Sequence, residues 1–195
     1  MKHMLILSCL LFAGSLSAQE ILPIEIQIKT ALLAAPDDQR TDATVLGYNS
    51  AGKLITLKQG SGNLVCLADD PRKKGIEVDC YAARLEPFMA RGRELLAEGK
   101  TEEQKQSIRK QEIESGKIKM PEGQSMLYVL KGTDENYNKA TGELKDGHLR
   151  YVIYVPYATI ASTGLPAKPS LPGMPWLMDP GTYKAHIMIT PPKNK

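Results

Sequence analysis

Histidine is scarce in this 195-residue chain, with three in all: His3, His148 and His186. Cysteine is equally rare at three, and tryptophan is single, Trp176. This scarcity narrows the chemistry available to the chain. There is no H-E-x-x-H zinc helix, no G-x-S-x-G nucleophile elbow, no P-loop and no dinucleotide fingerprint, so the readily recognised metalloprotease, hydrolase and nucleotide-binding signatures are missing. Charge of one sign is also lacking. The 25 basic side chains nearly balance the 22 acidic ones, and the two signs interleave, which leaves no broad field for nucleic acid or an anionic membrane. The densest basic cluster, Arg72, Lys73 and Lys74, stands beside Asp69 and Asp70 and reads as a solvated turn. No repeat, heptad or long low-complexity tract occurs.

The N-terminus does carry a strong signal. Lys2 and His3 form a basic start, Met4 to Ala13 an apolar run, and Gly14, Ser15, Ser17 and Ala18 supply the small residues preferred near a signal-peptidase site. We expect residues 1–18 to be a signal peptide cleaved between Ala18 and Gln19, with cleavage after Ser17 as the alternative. A lipoprotein reading through Cys9 is disfavoured, because little sequence precedes it and Leu7 is large for such a motif. The apolar run falls short of the roughly 20 residues that a spanning helix needs, and no later segment approaches that length. The expectation is one exported domain over 19–195, periplasmic or secreted, without a transmembrane anchor.

Past the expected cleavage site only Cys66 and Cys80 remain, an even number that suits an oxidising compartment. Residues 63–68 and 76–81 read as two strands around the turn 69–75, and the cysteines oppose each other if the register pairs 66 with 80. A disulfide is the expected outcome. The wider spacing than C-x-x-C, and the lack of a neighbouring base, argue against a redox or nucleophilic pair.

Residues 21–35 have helical apolar spacing, although the alternation Ile24, Ile26, Ile28 also permits a strand. Residues 43–48 and 53–58 read as a hairpin leading into the cysteine hairpin, which predicts a four-stranded antiparallel meander. Gln59 to Asn63 reads as a glycine hairpin loop between them. A helical insert is expected over about 86–116, with Pro87 in the first turn of one helix, Gly99 at its end, and Thr101 and Gln104 forming a capping box for the next. That second helix should lie on the surface, touching the core through Ile108 and Ile113. Residues 125–131 and 149–157 read as buried or half-buried strands separated by a turn-rich segment. The stretch 161–181 is too rich in proline and glycine to be regular throughout, and a last strand is expected at 182–190. These elements predict an α+β fold, a mainly antiparallel sheet with a two-helix insert in a single domain.

The chemistry is concentrated near the C-terminus. Met174, Trp176 and Met178 are followed by His186 and Met188 on one face of the closing strand. Thioether and imidazole are soft or borderline ligands suited to Cu(I). The set resembles the ligand chemistry of periplasmic copper and silver metallochaperones, matching them in residue type and differing in order and spacing. That resemblance implies metal ligation by Met174, Met178, His186 and Met188; the competing reading is ordinary core packing. The carboxylate pairs Glu77/Asp79 and Asp69/Asp70 have the right chemistry for acid–base work, but sequence proximity alone assigns them no role.

The segments Leu85-Glu86-Pro87-Phe88-Met89-Ala90-Arg91-Gly92-Arg93-Glu94 and Pro175-Trp176-Leu177-Met178-Asp179-Pro180-Gly181-Thr182 resemble an uncharacterised family of secreted bacterial proteins, which implies export and brings no activity with it. The resulting expectation is a non-catalytic binding or structural domain of the cell envelope, needing no cofactor, whose partner is a small ligand or an envelope component. The alternatives are a periplasmic Cu(I)/Ag(I)-binding protein and a secreted hydrolase built on His148 or His186 beside a carboxylate.

Overall fold

The structure is a computed structural model and describes residues 20–192; the expected signal peptide and its cleavage site at Ala18 and Gln19 lie outside the described residues. In chain order the elements are α1 (Ile24–Ala31), β1 (Thr44–Tyr48), β2 (Leu54–Lys58), β3 (Leu64–Leu67), β4 (Ile76–Ala82), α2 (Glu86–Ala97), α3 (Glu102–Glu114), β5 (Ser125–Gly132), β6 (Tyr137–Asn138), β7 (Glu143–Leu144), β8 (His148–Tyr154), α4 (Ile160–Thr163), β9 (Trp176–Met178) and β10 (His186–Ile189). Eight strands form one sheet in the order β2-β1-β3-β4-β5-β8-β10-β9, and β6 pairs only with β7. All neighbours in the large sheet are antiparallel except β1 and β3. The fold is α+β.

The parallel β1–β3 pair corrects the expected meander. After β2 the chain does not turn back beside it, but crosses past the start of β1 and enters the sheet on the other side. Gln59 to Asn63 is therefore a crossover and not a hairpin loop. Glycine is required there because of close approach: the Gly62 amide donates to the Asp42 carbonyl at 2.7 Å, and a Cβ on Gly60 would sit 2.1 Å from that same oxygen. Sequence reading missed this because a short glycine-rich link between two strands has the same composition in either topology.

The register of β3 and β4 places Cys66 directly opposite Cys80, and their sulfurs are at disulfide distance. Both are fully buried on the face covered by α1, among Ala31, Ala34, Val45 and Val78. The ambiguity over 21–35 is resolved as a helix that continues into a 3-10 turn at Leu32–Ala34. Its position is set as much by Gln27 as by apolar residues. The Gln27 amide donates to the carbonyls of Leu22 and Tyr48 and accepts from the Tyr48 amide, so a buried polar group ties the helix to the end of β1 with its own needs met.

The opposite face of the sheet is covered by α2 and α3. Leu85 and Phe88 are essentially inaccessible and pack with Val65 and Tyr81 of the sheet and with Ile113 and Tyr183; each such side chain contributes roughly 1.5–3 kcal/mol by burial. The capping box at Thr101 and Gln104 forms as expected. The contact stripe of α3 is wider than expected: Ile113 is buried as foreseen, Ile108 only partly, and Arg109 and Glu112 are buried beside it. Arg109 lays its guanidinium 3.9 Å from the Phe88 ring centroid, and Glu112 receives Arg91 and Lys117. A charged helix can thus dock through stacked and paired cations, which hydrophobic periodicity does not register.

Two further departures lie near the C-terminus. The expected strand at 182–190 is confined to β10, with a turn before it, and the proline-rich segment contributes the short edge strand β9. Because β9 is only three residues long, it leaves no periodic signal among the surrounding prolines.

Candidate functional site

Strand pairing sorts the α2/α3 face into rows. One row runs Tyr81, Leu127, Val152, Met188, Trp176, and the next runs Ser125, Tyr154, His186, Met178. Trp176 is thus directly opposite Met188, and Met178 directly opposite His186, pairs whose Cβ atoms lie about 4.5–5.5 Å apart in an antiparallel ladder. The α2/α3 pair packs on Val65 and Tyr81, on Tyr154 of β8 and on Tyr183 before β10, and none of its residues lines the space over β9 and β10. The proline-rich arm, Pro169 to Met174, stands over the uncovered end.

Between arm and sheet lies a cleft of about 750 Å³, within the usual size range of small-molecule sites. Met174, Trp176, Met178, His186 and Met188 all line it, with Leu171 and four prolines. Leu171 is 68% exposed, so the arm's apolar residues face this open space and are not packed into a core. On the sheet side of the cleft, Met188 of β10 is buried, at 8% exposed.

His186 is oriented by its own turn. Its Nδ1 lies 2.7 Å from the Lys184 carbonyl, and since a carbonyl only accepts, Nδ1 carries the hydrogen and the Nε2 lone pair is left available. Burial lowers its pKa, against the raising effect of that hydrogen bond, which favours the neutral ring. Tyr154 stacks at a tilt, 5.4 Å between centroids, and burial holds its hydroxyl at a pKa of about 12. The Met174 sulfur accepts from the Ser170 hydroxyl at 2.9 Å.

The cleft's cationic group is Arg150, in the row Asp79, Val129, Arg150. Its Nε is buried and has no hydrogen-bond partner among the described residues. Sequence reading passed over Arg150, although it is the only charged residue between Leu149 and Tyr157, and a lone arginine inside an apolar strand is a usable signal.

Neither described histidine hydrogen-bonds a carboxylate: His186 is engaged with the Lys184 backbone, and His148 stands in the row of Lys131 and Glu77, where those two pair with each other. The base–orienter contact of a hydrolase is therefore not formed at either. Among the described residues no group of three or more His, Cys, Asp or Glu side chains gathers for a metal, and no helix is long and apolar enough to cross a membrane. Arg72 is committed to Asp70 through two contacts of 2.8 Å. Fold and cleft together define an α+β domain with a large, mainly apolar recess at a sheet edge. No known protein family, curated protein or solved structure matches the chain.

Proposed function

We propose that this chain is an exported, non-catalytic binding domain whose ligand is an apolar molecule bearing one anionic group, held in the cleft between the proline-rich arm and strands β9 and β10. The observation that carries this reading is Arg150: a buried guanidinium nitrogen without a partner among the described residues, in a cleft lined mainly by methionine, tryptophan, leucine and proline, with His186 the other titratable group. Leaving such a donor unmet is unfavourable by roughly 1–3 kcal/mol, which a carboxylate or phosphate would offset. Export rests on the N-terminal pattern and on the cysteine pair at disulfide distance.

The test uses the single tryptophan as reporter. Dodecanoate should change Trp176 fluorescence saturably, dodecanol should bind at least tenfold more weakly, and Arg150→Met should erase the difference. Equal binding of acid and alcohol to the native protein would refute the role of Arg150, and no binding of either would refute the cleft as an apolar site.

A second reading, Cu(I) or Ag(I) ligation by Met178, His186 and Met188 with Met174 from the arm, is favoured by one specific observation. The Nδ1–H bond to Lys184 leaves Nε2 unprotonated, the arrangement commonly found for a metal-bound imidazole. Competition against a chromogenic Cu(I) chelator should then show stoichiometric binding that His186→Ala abolishes. Failure to compete would leave these residues as cleft wall.

A further inference from the structure

On the same face, at its other end, β1 to β4 pass beneath the C-terminal half of α2 and leave a recess of about 270 Å³. It is separate from the arm cleft and shares no lining residue with it. Asp79 lies in its floor. The Asp79 Oδ1 atom is buried and accepts no hydrogen bond among the described residues, and the strand backbone around it is engaged in ladders with β3 and β5.

Three nearby cations are committed elsewhere. Arg93 of α2 donates to the Tyr81 hydroxyl at 2.7 Å and to Glu86 at 2.6 Å. Arg72 forks onto Asp70, and Lys131 of β5 pairs with Glu77. Lys53 and Lys73 line the recess and make no ion pair among the described residues. The walls are apolar at Leu54, Leu67 and Leu96, and Leu96 is 44% exposed. An acceptor at the floor, two lysines in the lining and an apolar wall thus share a space too small for most drug-sized ligands.

We propose that this recess binds a small zwitterion, its ammonium donating to the Asp79 carboxylate and its own carboxylate meeting Lys53 and Lys73. The ammonium supplies the donor that Oδ1 lacks and the positive charge that makes a buried carboxylate tolerable, while the aliphatic stem lies on Leu67 and Leu96. The charge state of Asp79 supports this. Burial pushes its pKa up to about 7, the negative charge of Glu77 adds to the rise, and Lys131 and Lys73 oppose it. Asp79 is therefore partly protonated near neutral pH in the free protein, and an arriving ammonium favours its ionised form, so binding releases protons.

The experiment titrates the full exported chain with 6-aminohexanoate, hexylamine and hexanoate by calorimetry at pH 7 in two buffers of different ionisation enthalpy. The zwitterion should bind at least tenfold more tightly than either half-molecule, with a buffer-dependent heat that reports a fraction of a proton released. Asp79→Asn, of the same size, should abolish both, and Lys53→Met with Lys73→Met should reduce the preference over hexylamine. Arg150→Met, in the other cleft, should change nothing here, which separates this site from the one proposed above. Binding that survives Asp79→Asn, binding without proton release, or no preference for the zwitterion would overturn the proposal.

Discussion

Asp79 and Arg150 stand in one row of the sheet with Val129 between them, and neither reaches the other. Two strand spacings put their backbones about 10 Å apart, and each keeps a buried polar atom with no partner among the described residues. Their opposite charges do not form an ion pair across Val129; each faces its own recess on either side of the covered middle of the sheet.

The first consequence is a pH dependence of stability. The folded-state pKa of Asp79 is raised from an ordinary carboxylate value of 3.8 to about 7, so the native chain holds a proton that the unfolded chain loses. Stability should therefore decrease as pH rises from about 4 to about 7 and level off above that. Asp69, raised to about 6 chiefly by burial, acts in the same direction. Asp79→Asn removes the larger part: in urea unfolding the variant should gain on the native protein with rising pH, by on the order of 2 kcal/mol between pH 4.5 and pH 8. A pH-independent difference would mean that the native carboxyl titrates normally.

Gly60→Ala tests the crossover. In an ordinary hairpin loop the change would be tolerated, but here the new Cβ meets the Asp42 carbonyl and the Ala43 backbone within 2.6 Å. Backbone cannot move aside as a flexible side chain does, so the substitution should destabilise the fold by more than about 2 kcal/mol. Gly99→Ala, where no atom lies within 4 Å but the backbone is left-handed at φ 79, should be milder, at about 1 kcal/mol.

Reduction of the cysteine pair should lower stability without changing the topology. Residues 66 and 80 are separated by 14 positions, and opening a loop of that length frees the unfolded chain by about 3 kcal/mol in the entropy model. The midpoint of denaturant unfolding should drop on adding reductant, and Cys66→Ala with Cys80→Ala should reproduce the drop and make the protein insensitive to reductant.

Glu112 ties the two helices of the insert together, accepting Arg91 Nε at 2.9 Å and Lys117 Nζ at 2.6 Å. The Arg91 hydrogen bond is the main reason its pKa is lowered. Stability from a lowered carboxyl is present above its unfolded value, near 4.5, and is lost as pH falls through the folded one. Glu112→Gln should therefore depress the thermal midpoint at pH 7, by an amount corresponding to about 1 kcal/mol, and the deficit should shrink as pH falls below the unfolded value.

Much of the fold was legible from local chemistry. The Cys66–Cys80 register, the capping box at Thr101, the helix entry at Pro87 and the β1–β2 hairpin all follow from residues within a few positions of one another, where steric and hydrogen-bonding preferences act directly. The placement of Met178, His186 and Met188 on a common face was legible in part, because alternation along β10 fixes His186 and Met188 while β9 left no pattern.

What the sequence by itself determined is therefore the set of local elements, the cysteine pairing and the mixed α+β class. Only the tertiary structure decided that β3 lies beside β1 in parallel, that the proline-rich arm stands off the sheet to open a cleft, and that Asp79 Oδ1 and Arg150 Nε are buried without partners among the described residues. The physical reason is common to all three. Strand order, the clearance between layers and the solvation of a charge depend on contacts between residues far apart in the chain, and composition and periodicity carry no record of which distant segments will meet.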